Sequence, residues 1–494
     1  MNGLRLLVLS MLILVKPLFA QGTGQDNSAD TEDKLGALIA SVSAAYGGDA
    51  LLSLRNYQIT ESYVSPNTGQ SWHPALTDIR RFNFRLVHDL EAGHVYQESW
   101  FNSRSGRFPN INILNADGAW SVDLRGARFG ESANGDPYAV AGGIMRTTDV
   151  LLARELIKSA AEAQYLGEAL WMNRDHRRVR IPFPLSSDLT LFVDAESGLI
   201  TRMTRESPQL GLLDYVFLEH AVTDGFTAAQ TVNFSIAGDP NLMGSKRAIR
   251  FNQVIDPDTF TIPDGLAAEG ARVDDSEMLV NRLSDEVYHV GQNGGYSIFV
   301  DTGREIVAAG TYAGLGDRLT RFRQETGNYL PLAYQVVTHH HSDHIAGIDE
   351  ALALGARLVT KEDTAPVLRA SSQQEIDDAS LLLVDERLTL GTGNGEVQIF
   401  DVSTSHAANN LLFYVPAVRT LFIADHFGSP FADGIPDASG NTVAMAAALA
   451  PLELGFRRIV TAHSGRVFTS KEFAESVEAY TEYQCPSDKP LCSS

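Results

Sequence analysis

The segment Thr338-His339-His340-His341-Ser342-Asp343-His344 decides how this chain is read. It carries His-x-His-x-Asp-His, four candidate metal ligands within six residues. Packing does not explain it, because a run of imidazoles fills a core less well than Leu or Val. Zinc and iron both take imidazole nitrogen and carboxylate oxygen, so the composition suits a metal site. A solvated polar loop is the plainer alternative, but the sequence on both sides is apolar. Residues 332–338 form a β-branched, apolar run that reads as a buried strand. Residues 344–355 read as a helix closed by Gly355. The histidines therefore fall on a loop between the C-terminal end of a strand and a helix, where ligand sites of α/β sheets form.

Three more positions share that placement. His406 follows the strand-like run 396–402, Asp425 closes 420–424, and His463 ends 458–462. Each alone reads equally well as a polar residue closing a strand. Together with the cluster they could converge on one sheet edge. Strands are also expected over 286–290, 296–300 and 305–309, and helical and strand segments alternate to the end. That alternation points to an α/β layered domain.

In this order, His339-x-His341-x-Asp343-His344, His406, Asp425 and His463 resemble the ligand pattern of the metallo-β-lactamase superfamily. The resemblance covers residues 283–480 and implies an αββα sandwich with two metal ions at one edge of its sheets. By position it implies that His339, His341 and His406 hold the first ion. Asp343, His344 and His463 would hold the second, and Asp425 would bridge the two. His340 and Ser342 fill variable positions. Thr338 and Ser464 are candidates to orient ligand imidazoles, and His426 is a candidate for that role or for facing substrate. The implied cofactor is Zn2+, two ions, with Fe or Mn compatible with the same donors. The implied chemistry is attack by a metal-bridging hydroxide, with Asp343 orienting it or moving its proton. A bridging Asp425 resembles the glyoxalase II, lactonase and phosphodiesterase branches more than the β-lactamases proper.

The rest of the chain sets the context. It has 494 residues, too many for one ordinary core. A net charge of −22 argues against a nucleic-acid partner, which would need a basic stripe. Residues 1–20 read as a cleavable signal peptide with cleavage after Ala20, so the protein is expected to be periplasmic or secreted. No other segment reaches membrane-spanning length, so no integral membrane segment is expected after cleavage. Residues 21–32 read as a disordered linker. Residues 33–275 read as a mostly antiparallel β domain, with a helix over 33–46, a hairpin joining 189–193 to 199–203, and one clear internal helix over 148–162. In strand pattern this half resembles the curved sheets of periplasmic lipoprotein-carrier proteins, which implies a half-barrel able to hold an apolar ligand. Its histidines, among them His88 and His220, show no ligand-like spacing. Residues 481–494 form a tail in which Cys485 and Cys492 could close a small loop.

The expected fold class is thus an α+β/α/β two-domain chain, a β-rich domain followed by an αββα metallo-β-lactamase sandwich. The expected function is an exported dinuclear zinc hydrolase acting on an ester, lactone, thioester or related bond of a small-molecule substrate. Alternatives are an iron-dependent oxidoreductase of persulfide or oxygen chemistry on the same fold, an apolar-ligand-binding protein with a vestigial metal site, and a β-lactamase. No Gly-x-Ser-x-Gly elbow and no phosphate-binding glycine loop competes with the metal reading. Nothing in the sequence indicates the substrate or the oligomeric state.

Overall fold

The computed structural model describes residues 28–104, 106–133 and 135–493. The signal peptide expected over 1–20 lies outside the described residues, as does most of the expected linker. Residues 28–32 of that linker are helical, because the helix runs over Ser28–Tyr46 rather than starting at 33.

A fourteen-stranded sheet occupies the N-terminal part. Its strands are antiparallel apart from a short parallel pairing at one edge, Ala267–Ala268 on Arg128–Glu131. The hairpin at Asp194 forms, with Met203 opposite Leu191. Three helices cover the sheet's apolar face: Ser28–Tyr46, Pro137–Arg146 and Asp149–Lys158. Leu38, Val42 and Tyr46 from the first, Met145 from the second and Leu152 and Leu156 from the third share one core with Ile59, Leu86 and Phe217 of the sheet. The helix over Pro137–Arg146 is not expected from the sequence, since Gly142-Gly143 lowers its helix propensity. Burial of Ala141 and Met145, together with the Asp136 side chain accepting from Tyr138 N, outweighs that cost.

Two smaller sheets, of seven and six strands, follow. Their residues alternate between two sides, as period-two strands require. Val287, Ile298 and Val300 point to a core shared with Ile399, Phe413 and Val460 of the other sheet. Their neighbours Tyr288 and Phe299 point the opposite way, onto Leu319 and Phe322 of helix Leu315–Thr326. Beyond the second sheet, Leu412 and Leu421 pack with Met445 of helix Gly440–Leu449 and Phe473 of helix Ser470–Ala479. Helices thus lie outside two facing sheets, an αββα arrangement.

Among the described residues no helix is long and apolar enough to cross a membrane. Cys485 and Cys492 are joined as a disulfide. The tail that carries them packs back onto the N-terminal sheet, where Asn83 Nδ2 donates to the Leu491 carbonyl at 3.1 Å.

Candidate metal centre

The strand Leu332–Val336 runs parallel to Ile306–Ala309, and Thr420–Phe422 runs parallel to Arg458–Val460. Parallel strands release their chains at the same edge. His339 therefore emerges beyond Leu332–Val336, and Asp425 and His463 beyond the second parallel pair. His406 follows Val397–Val402, which has the same direction as Thr420–Phe422 because each is antiparallel to Asn410–Val415. The expected helix over 344–355 is shorter, Ile348–Ala353. Residues 342–347 instead form turns that let both Asp343 and His344 face the edge. Ala424 adopts φ 47°, in the left-handed region, immediately before Asp425. Backbone of this kind persists where the surroundings over-determine it.

All seven sequence-predicted ligand positions converge, in two groups that share Asp425. His339, His341, His406 and Asp425 form the first; Asp343, His344, Asp425 and His463 form the second. The two oxygens of Asp425 divide between them. Oδ2 lies 3.0 Å from His406 Nε2 and 3.6 Å from His339 Nε2. Oδ1 lies 2.7 Å from His344 Nε2 and 3.2 Å from His463 Nε2. Asp343 Oδ2 is 3.4 Å from the Nε2 atoms of both His344 and His463.

The electrostatics match the donor types. Burial and the neighbouring imidazoles hold His339 well below the usual histidine range, and burial pushes His341 down to about 3. Both rings are therefore neutral at physiological pH, the form that ligates a metal. Burial alone would raise Asp425, but His344, His406 and His463 hold it well below the usual carboxylate range. His463 differs. Burial opposes its charge, yet hydrogen bonds to Asp343 and Asp425 raise it to about 10. His341 Nδ1 is buried without a hydrogen-bond partner, while its Nε2 lies 3.1 Å from the Ser71 carbonyl. A buried lone pair left over in a ring otherwise engaged is what a metal ligand would show.

The ring nitrogens that face away from the groups have partners, which fixes ring orientation. Thr338 Oγ1 lies 3.2 Å from His339 Nδ1 and 3.3 Å from His344 Nδ1, the role expected of it. His463 Nδ1 lies 3.0 Å from the Gly294 carbonyl. His426 is buried, with Nε2 at 2.9 Å from Thr404 Oγ1 and Nδ1 at 3.0 Å from the Ile423 carbonyl. It braces the turn that carries His406, whose N–H donates to the same Thr404 hydroxyl at 3.2 Å, and it does not face the cleft. Ser464 touches no ligand imidazole; its hydroxyl donates to the Ser429 carbonyl at 2.8 Å. His340 Nε2 lies 2.7 Å from the Ser71 carbonyl, consistent with its place off the metal.

Two features at the centre are not visible in the sequence reading. Tyr312 places its hydroxyl 2.7 Å from His463 Nε2, 2.8 Å from His344 Nε2 and 3.3 Å from Asp343 Oδ2. It lies just beyond the strand Ile306–Ala309, so the strand-end placement that marks His406 and Asp425 marks it too. The second feature is the loop 67–78 of the N-terminal sheet, which lies over the ligands. Gln70 Nε2 donates to Asp343 Oδ1 at 2.8 Å, Ser342 N donates to the Gly69 carbonyl at 2.8 Å, and Trp72 Nε1 donates to the Thr404 carbonyl at 2.8 Å. Gly69 has φ 70°, and a Cβ there would come within 3.2 Å of Ser342 Cβ. A side chain at that position would be strained by this φ and would press on Ser342. Clefts open on either side of the ligands, one reaching His341 and His406 and the other reaching Asp343, His463 and Tyr312.

No protein-family model matches the chain. Solved structures similar to it include a metallo-β-lactamase from Pontibacter korlensis, 18% identical with a TM-score of 0.32, covering 41% of this chain and 98% of that one. A metallo-β-lactamase from Hirschia baltica is 14% identical with a TM-score of 0.32, covering 41% and 96%. The metal-soaked Flv1 flavodiiron core from Synechocystis sp. PCC6803 is 13% identical with a TM-score of 0.33, covering 42% and 60%. The two His/Asp groups of this chain are each placed to hold a metal ion.

Proposed function

We propose that the chain is an exported metal-dependent hydrolase of the metallo-β-lactamase fold, holding two zinc ions and cleaving an ester, lactone or thioester. The observation that carries this reading is the division of Asp425, one oxygen toward each ligand group. A carboxylate so placed serves two ions at once, and the neutral, buried imidazoles of His339 and His341 supply the donors. When bound, the ions would polarise the substrate carbonyl and activate a water near neutral pH.

The chain's own groups do the rest. Asp343 is anchored by Gln70 through Oδ1, which leaves Oδ2 turned toward Tyr312, His344 and His463. Burial would raise its pKa, but contacts with His463 and His344 hold it well below the usual carboxylate range, so it stays charged. Oδ2 is the atom placed to orient the attacking water or to take its proton. The loop 67–78 lies over part of the cluster and leaves it open on two sides.

In this reading residues 33–275 form a separate β-rich domain that covers the site, residues 283–480 form the catalytic domain, and residues 481–494 tie the two together. Export rests on the apolar segment within residues 1–20, and the disulfide is in keeping with an oxidising compartment. The test is a hydrolysis panel of lactones, thioesters, aryl esters, phosphodiesters and β-lactams on the zinc-loaded mature protein and on His339→Ala. Lactone, ester or thioester turnover lost in His339→Ala is the expected result. Fast β-lactam turnover with no activity on the other bonds would overturn the choice of substrate class. Iron retained in place of zinc, with no hydrolysis at all, would favour an oxidoreductase.

A further inference from the structure

The cleft that reaches His341 and His406 also has walls from the N-terminal sheet, most of whose side chains touch no candidate ligand. It encloses roughly 200 Å³, and Trp72, Arg80, Phe101 and Arg104 line it. Phe101 belongs to a ladder of four rings on adjacent strands. Tyr63 pairs in register with Phe82, Phe82 with Phe101, and Phe101 with Phe108. Ring centroids along it are 5.0, 5.4 and 5.0 Å apart. None of the four rings is fully buried. A partly open row of stacked rings is a surface for a flat apolar group.

Three guanidinium groups stand over rings that line the cleft, Arg125 at 4.9 Å from the Phe108 ring among them. Arg104 lies 4.8 Å from the Trp72 ring and Arg80 lies 5.7 Å from the Phe101 ring. They differ in their partners. Arg104 pairs with Asp78 at 3.5 Å, and Asp78 also accepts from Trp72 N at 2.8 Å. Arg80 has no ion pair among the described residues, and its Nε is buried with no hydrogen-bond partner. Burial strips water from this cation and lowers its pKa, with Asp78 only partly opposing that. A half-buried, unpaired guanidinium at the wall of a cleft is costly unless something satisfies it. An incoming carboxylate would pair with its two terminal nitrogens, the buried Nε being closed to it.

We propose that this cleft recognises a substrate carrying a carboxylate, held by Arg80, and a flat aryl or acyl body, laid on the Phe101 ladder. The hydrolysable bond would then point toward His341 and His406. This substrate class rests on the hydrolase reading above, but its recognition can be measured without turnover. The experiment is calorimetric binding of 4-phenylbutyrate and of its neutral amide, 4-phenylbutyramide, to the zinc-loaded protein. Wild type is expected to prefer the carboxylate by about tenfold or more, the ordinary worth of a hydrogen bond to a charged group. Arg80→Gln is expected to erase that preference, while Arg80→Lys, which keeps the charge, retains part of it. Equal binding of the two compounds, or binding of neither, would overturn the proposal. So would a preference that survives Arg80→Gln, since the carboxylate would then be held by the metal. A protein that binds the carboxylate through Arg80 yet hydrolyses nothing in the panel refutes the hydrolase reading and leaves this site standing.

Discussion

Gln70 Nε2 donates to Asp343 Oδ1 at 2.8 Å, joining a loop of the N-terminal sheet to the metal cluster across the length of the chain. The contact uses one Asp343 oxygen and so selects which one faces His344 and His463. Gln70→Ala is expected to lower kcat by about tenfold, the usual cost of losing a group that orients a ligand. Gln70 is partly exposed, so the unfolding free energy should change by less than about 1 kcal/mol. Steady-state kinetics and urea unfolding check both. A variant with unchanged kcat would remove the loop from the reaction.

Tyr312 puts its hydroxyl among His344, His463 and Asp343, within reach of the second ligand group alone. Tyr312→Phe keeps the ring and removes that oxygen. That hydroxyl bonds the same Nε2 atoms that would hold the second ion, so an ion must displace it; the second ion is expected to bind several-fold to about tenfold more tightly in the variant, with the first ion unaffected. Titration with Co(II), followed by its visible spectrum, separates the two binding steps. Equal effects on both steps would contradict this placement.

His463 is raised to about 10 by its contacts with Asp343 and Asp425, although burial opposes the charge. Below that value the metal-free ring holds a proton that a metal must displace. Loading the second site at pH 7 should therefore release about one proton, and its affinity should fall about tenfold per unit as pH drops. The first site, with His341 already pushed down to about 3, should release none from that ring. Calorimetry in buffers of differing ionisation enthalpy measures the protons released. In the metal-free fold the sign for stability is the reverse. His463 is a raised histidine, so the stability it contributes is present below about pH 6.5 and is lost as pH rises toward 10.

His88 and His289 are buried far from any ligand role, and burial lowers each to about 4. His88 Nδ1 lies 3.0 Å from the Tyr57 hydroxyl, and His289 Nε2 lies 2.9 Å from the Thr461 carbonyl. Both are neutral when folded, while the unfolded chain takes up their protons below about pH 6.5. The metal-free protein should lose stability as pH falls from about 6.5 to 4, by up to about 3 kcal/mol for each of the two. His88→Gln should flatten part of that slope in urea unfolding. A slope identical to wild type would show that His88 does not titrate as described.

The convergence of the seven candidate ligands was largely legible in the sequence because they sit where apolar strands run out. That signal is local, so the runs before His339, His406, Asp425 and His463 display it. Tyr312 obeys the same rule after Ile306–Ala309, but a phenol at a strand end is ordinary and does not stand out. Gln70 left no trace, since its partner is distant in sequence and carries no periodicity. Ser464 illustrates the opposite failure: adjacency to a ligand suggested a partner, yet the side chain turns to Ser429. The helix expected from 344 begins only at Ile348, because the preceding residues adopt the turns that aim Asp343 and His344. The layering of the last two sheets came with the family resemblance, and Val287 and Tyr288 do turn to opposite sides as it requires, whereas the helix over Pro137–Arg146 rests on tertiary packing that overrides its glycines.

The claim at the centre is that Asp425 joins two ligand groups into one two-metal site. Its most direct test is elemental analysis of the purified protein after zinc loading and dialysis, for wild type and for Asp425→Ala. Two ions per chain in wild type, falling to one or fewer in Asp425→Ala, is the predicted result. A wild-type protein that retains no metal, or a variant whose metal content matches wild type, would contradict it.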